Sequence, residues 1–70
     1  MNSKKLKIKL LEKDKNLEDL ALYIGCNIAT IYRKLNGESD FSRNEIQQIA
    51  VFLSLSSSDV NSIFFDDKLA

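Results

Sequence analysis

The sequence predicts an all-α fold of five short helices, and three observations predict it. Apolar residues recur three and four positions apart in five blocks, the spacing of helices that bury one face. Four of the blocks open behind an Asn or Ser placed to cap a helix: Asn16, Asn27, Ser42 and Ser56. The 70 residues include no Pro and only two Gly, so nothing interrupts a helix except at Gly25 and Gly37.

The first helix is expected from about Ser3 to Lys13, where Leu6 and Leu10 lie one turn apart, Leu11 stands beside them, and lysines fill most of the rest. Asn16 caps the second, whose acids Glu18 and Asp19 sit at the positive end of the helix dipole; it runs from Leu17 to Ile24. Gly25 supplies a left-handed stop, and after a short turn Asn27 caps a third helix from Ile28 to Leu35. Asn36-Gly37 closes that one. Ser42-Arg43-Asn44-Glu45 reads as a capping box, the hydroxyl reaching forward and the carboxylate back to free amides, ahead of Ile46, Ile49, Ala50 and Leu53. Ser56-Ser57-Ser58-Asp59 repeats the signal before Val60, Ile63 and Phe64, a short fifth helix, and residues 66–70 are expected to fray. With no repeat or linker, residues 1–70 are read as one domain, and a chain of this length buries only about 60% of its unfolded surface.

Composition narrows the functions available. Cys26 is the single cysteine and there is no His, so neither an internal disulfide nor a zinc site is expected, and no other metal or cofactor. A lone Cys of this kind is read as a small buried hydrophobe. The acids fall in caps or polar loops and the thiol has no neighbour in sequence to activate it, so the chain is not expected to be an enzyme or to hold a small-molecule ligand. Ile8 to Leu11 is too short an apolar stretch for a signal peptide or a membrane span, which points to the cytoplasm. Ten basic residues balance ten acidic ones, yet residues 1–15 carry six Lys against Glu12 and Asp14, while residues 38–70 carry six acids against Arg43 and Lys68. Such a polarised neutral chain still presents a positive face to a polyanion, with a weak field at long range.

Two short helices joined by a turn with Gly at its start, here about residues 17–37, form a helix-turn-helix whose second helix is suited to a DNA major groove. Leu20, Ile24 and Ile31 would fill the angle between them, and Ala21 is small where the second helix crosses. At about 100° per residue, Ala29, Tyr32, Arg33 and Asn36 share an arc of about 100° opposite Ile31, which makes them the outward face. Arg33 has the fork that pairs with a guanine edge, and Ala29 or Ile28 suits a thymine methyl. Ile28 is two-sided, because Ile28, Ile31 and Leu35 also form an apolar stripe of the kind that fills a core.

Asn16, Leu20-Ala21, Ile24-Gly25, Ile31 and Asn36-Gly37, followed by the stretch from Phe41 to Phe65, resemble the lambda-repressor-like (Cro and repressor) helix-turn-helix proteins of phages and bacteria. That resemblance implies five helices, sequence-specific binding of duplex DNA, and a homodimer on a palindromic operator. It implies base contacts from Asn27, Ile28 and Ala29, with Tyr32 and Arg33 further along, and phosphate contacts from Asn16 and Asn36. Leu17 occupies a position where the family often has a polar residue that touches DNA or the recognition helix. Lys34 stands where the family usually buries an apolar side chain, and Leu35, with Leu10, where many members have an ion pair. A second reading remains open beside this one: the same fold used as a protein-interaction module, as in an antirepressor, which zero net charge and an apolar Leu17 favour. Leu22, Tyr23, Ile8, Phe64 and Phe65 exceed what one small core needs and are candidates for a dimer contact. A third, in which residues 4–15 lie on an anionic membrane, is weakened by the narrow apolar face of that helix.

Overall fold

A computed structural model describes residues 1–65, and the fraying expected of residues 66–70 lies outside the described residues. The five helices form where the apolar blocks and caps place them: α1 (Ser3–Glu12), α2 (Leu17–Ile24), α3 (Ile28–Leu35), α4 (Arg43–Leu53) and α5 (Ser57–Phe64). No strand occurs among the described residues.

Side-chain oxygens cap every one of them. The Asn16, Asn27, Ser42 and Ser56 oxygens accept from the backbone N–H groups of Asp19, Thr30, Glu45 and Asp59. In α2, α4 and α5 the acidic partner answers: Asp19, Glu45 and Asp59 each accept from the N–H of their own capping residue. Asp19 therefore closes a capping box as well as meeting the dipole. Helix α1 starts at Ser3 as expected, and its cap, Asn2, is not among those expected from the sequence; its side chain accepts from the Lys5 N–H at 3.1 Å.

Four helices stop alike, on a residue in the left-handed region. Gly25 (φ +92°) ends α2 and Gly37 (φ +87°) follows α3, as expected. Asp14 (φ 60°) and Ser54 (φ 53°) do the same after α1 and α4 without glycine's freedom. At Asp14, Gly37 and Ser54 the following residue donates back to a carbonyl five positions earlier: Lys15 to Leu10, Glu38 to Arg33, and Leu55 to Ala50. Because Asp14 turns the chain, α1 ends at Glu12, one residue short of the expected Lys13.

The core takes side chains from all five helices: Leu6, Leu20, Ile31, Ile49, Leu53 and Ile63 are fully buried, with Leu10, Ala21, Phe41 and Phe64 nearly so. Each aliphatic side chain so buried contributes about 1.5–3 kcal/mol. Phe41, from the α3–α4 connection, meets Phe64 edge to face at 5.8 Å between centroids. Leu11, expected beside Leu6 and Leu10, instead points outward, 77% exposed, and Phe65 is exposed where Phe64 is buried. Helix α2 packs on α3 and α4, and α5 on α1 and α4. Polar bonds fasten α1 to α5: the Asn2 N–H donates to the Ile63 carbonyl at 2.6 Å, and Lys5 Nζ donates to Ser62 Oγ at 2.6 Å. Lys9 lies between Glu12 and Asp59, and the hydrogen bond to Glu12 and the charge of Asp59 raise its pKa. Among the described residues no helix is long and apolar enough to cross a membrane, and no group of three or more His, Cys, Asp or Glu side chains is arranged to hold a metal ion.

Candidate nucleic-acid interface

Helices α2 and α3 pack against each other over a shared core. Leu20 and Ile31 have no solvent exposure and Ala21 has 4%, and Ile24 is half-buried against the same cluster. Between them Gly25 in the left-handed region lets both its own N–H and that of Cys26 donate to the Ala21 carbonyl, at 2.8 and 3.0 Å. The chain reverses within three residues, and Asn27 starts α3 at once. Cys26 is half-buried in this turn and packs against the core.

With Ile31 facing inward, Ala29, Tyr32, Arg33 and Asn36 are all exposed, as the angular arithmetic requires. Among the described residues none of their side chains makes a hydrogen bond or ion pair within the protein. Asn16 and Asn27 are exposed too, at the heads of α2 and α3. Their carbonyl oxygens are engaged by the caps, which leaves the NH2 donors of each amide facing outward chemistry.

Leu17 and Ile28, the first residues of α2 and α3, are both half-buried against the core. They come together with Asn16 and with Tyr32, one turn on from Ile28, in a groove between α1, α2 and α3. Ile28 therefore has one side on the core and another on the surface, which is why its spacing alone left both roles open. Lys7 and Lys15 border the same groove. Only a general attraction to phosphate was legible for the lysines of α1; that these two stand beside Leu17 and Ile28 depends on how α1 packs. Lys15 also lies over the Phe52 ring at 5.4 Å, and Phe52 stacks on Tyr23 at 4.7 Å.

Lys34 resolves its departure from the family pattern by reaching along the protein. Its side chain is only 12% exposed, and its ammonium lies 3.4 Å from Glu45 Oε1, donates to the Asp40 carbonyl at 2.9 Å, and sits over the Phe41 ring at 5.6 Å. An apolar stem fills the interior position while the charge finds partners at its edge. Burial pushes the Glu45 carboxyl up, but the Ser42 N–H and the Lys34 charge outweigh it and hold the pKa below the ordinary value. The end of α3 is thereby tied to the start of α4, one residue from Arg33. Leu35 is half-buried and joins the same core as Leu10, an apolar arrangement where many family members have an ion pair.

A family model, the Cro/C1-type HTH DNA-binding domain, matches residues 5–66, nearly the whole chain and all five helices. No curated protein and no solved structure matches significantly. The five-helix order, the Gly25 turn, the exposed outer face of α3 and this match agree, and the chain belongs to the Cro/C1-type helix-turn-helix family of DNA-binding domains.

Proposed function

We propose that the chain is a transcriptional regulator of the Cro or repressor type, a single domain that binds a palindromic operator as a homodimer and lays α3 in the major groove. The observation that carries this reading is the division of α3. Its inner face is fixed by Ile31 and Lys34, while its outer face offers Ala29, Tyr32, Arg33 and Asn36 with no partner within the described protein. In this reading Arg33 forks onto a guanine edge, and Asn27, Ile28, Ala29 and Tyr32 meet neighbouring base edges. Asn16 and Asn36 donate to phosphates at the two ends of the unit and set its register. Leu17 borders Ile28 at the groove. Exposed Leu22, Tyr23, Ile8 and Phe65 supply apolar surface for a second copy. Such a regulator works in the cytoplasm of a bacterium, where its operator is.

Selection from random duplex DNA at several salt concentrations tests this. The expected result is a palindromic consensus whose affinity falls steeply as salt rises; no consensus and no salt-dependent binding would reject it. The zero net charge and the apolar Leu17 favour one other reading, a partner-binding module. That reading gains if Arg33→Ala and Asn27→Ala leave DNA affinity unchanged while the chain retains a stable protein partner.

A further inference from the structure

The groove between α1, α2 and α3 is unusual in composition for a surface that faces nucleic acid. Leu11, Leu17, Ile28 and Tyr32 line it, and Lys7 and Lys15 stand at its border with a single carboxylate, Glu18, so the border carries net positive charge. Leu11 is 77% and Tyr32 51% exposed, and Leu17 and Ile28 are half-exposed, so apolar surface is open to solvent beside the outer face of α3.

None of the three aliphatic side chains can hydrogen-bond a base edge. Pressing them on the amino, keto or ring-nitrogen groups of a base would strip those groups of water and return nothing, at a cost of about 1–3 kcal/mol for each group left unpaired. The major groove offers one apolar feature only, the C5-methyl of thymine. Leu17 and Ile28 lie together at the first residues of α2 and α3, at the end of the unit where the Asn16 and Asn27 amides also stand. Lys7 and Lys15 border the same groove and bring positive charge beside such a base.

We infer that this groove reads thymine methyl groups, with Leu17 and Ile28 as the specificity-determining pair, Tyr32 closing its outer side, and Lys7 and Lys15 on the flanking phosphates. The inference rests on the DNA-binding reading above and deepens it by naming the chemical group recognised and the residues that recognise it. Arg33 sets where guanine stands in each half-site; Leu17 and Ile28 set where thymine stands.

The experiment begins with the duplex recovered by selection. Each thymine in turn is replaced by deoxyuridine, which removes the methyl and keeps every hydrogen bond. At one or two positions in each half-site the wild-type protein should lose about three- to tenfold in affinity, the worth of one buried methyl. In the Leu17→Gln/Ile28→Gln variant, shown to be folded by its circular dichroism melt, the thymine duplex should fall to the uracil level. With unmodified protein and isotope-labelled thymine methyls, the same positions should show nuclear Overhauser contacts to the Leu17 and Ile28 methyls, a readout that needs no variant. Equal binding of thymine and uracil duplexes would overturn the inference while leaving DNA recognition intact. So would a penalty that persists in the double variant or methyl contacts to Ala29 alone. If selection recovers no sequence at all, the DNA-binding reading fails first and this inference with it.

Discussion

On its inner side α3 presents Ile31, fully buried in the cluster that holds Leu20 and Ala21, and Lys34, whose ammonium lies between Glu45, the Asp40 carbonyl and the Phe41 ring. On its outer side stand Tyr32, Arg33 and Asn36, exposed and with no side-chain partner among the described residues. One helix of eight residues thus answers to two sets of demands. Volume and burial admit few residue types on the first side. The second is open to whatever the ligand requires, so the two sides should respond differently to the same kind of change.

Ile31→Ala is the largest expected effect. Removing a fully buried aliphatic side chain should cost about 2–5 kcal/mol, a large part of the stability available to a domain this small, and urea unfolding would read it. Arg33→Ala should leave the unfolding free energy within about 0.5 kcal/mol of the parent and instead lower affinity for the selected duplex about 10- to 100-fold. A variant at Arg33 that unfolds, or one at Ile31 that does not, would show that the two sides are not separable.

The same contrast explains how much could be read before any coordinates. Ile31, Leu20, Ile49 and Ile63 were legible as core because helical periodicity and burial coincide. Asn16, Asn27, Ser42 and Ser56 were legible as caps because few side chains can do that work. The outer residues of α3 followed from the rotation per residue alone. Leu11 was misjudged because an apolar residue adjacent to a stripe need not belong to it. The groove at Leu17 and Ile28 was out of reach for another reason: it needs the packing angle of α1 against the other two helices, which no local pattern encodes. Lys34 was hidden too, since a long side chain can place its stem inside and its charge several residues away in sequence, at Asp40 and Glu45.

That tie gives the inner side a dependence on pH. The Glu45 carboxyl has a pKa held below its ordinary 4.5, despite the burial that raises it, by the Ser42 N–H and Lys34. A depressed carboxylate pKa contributes stability that is fully present above the unfolded value and is lost as pH falls below about 4.5 through the folded one. Glu45→Gln keeps an acceptor for the Ser42 N–H but removes the titration. It should weaken the fold by about 1 kcal/mol at pH 7 and flatten the decline in stability below pH 4.5, measured as unfolding free energy across pH 3 to 7. An unchanged acid slope would mean that Lys34 is held by Asp40 and Phe41 without help from the Glu45 charge.

The helix stops supply the smallest effects and the cleanest pair. At Gly25 an added Cβ would meet nothing within 4 Å, so Gly25→Ala tests backbone conformation without a clash. The left-handed region costs an L-residue about 1–2 kcal/mol, while removing glycine's freedom from the unfolded chain returns about 0.4–1 kcal/mol. A net loss of about 1 kcal/mol is expected, and with it some of the fixed angle that sets α3 on DNA. Ser54, at φ 53° after α4, presents the same conformation with the opposite residue. Ser54→Gly should therefore gain about 0.5–1 kcal/mol in the thermal melt and leave DNA affinity unchanged, since Ser54 lines neither the groove at Leu17 and Ile28 nor the outer face of α3. If Gly25→Ala loses and Ser54→Gly gains nothing, the Ser54 side chain offsets its own backbone strain, and the two kinds of stop are matched in energy although only the glycines announce themselves in the sequence.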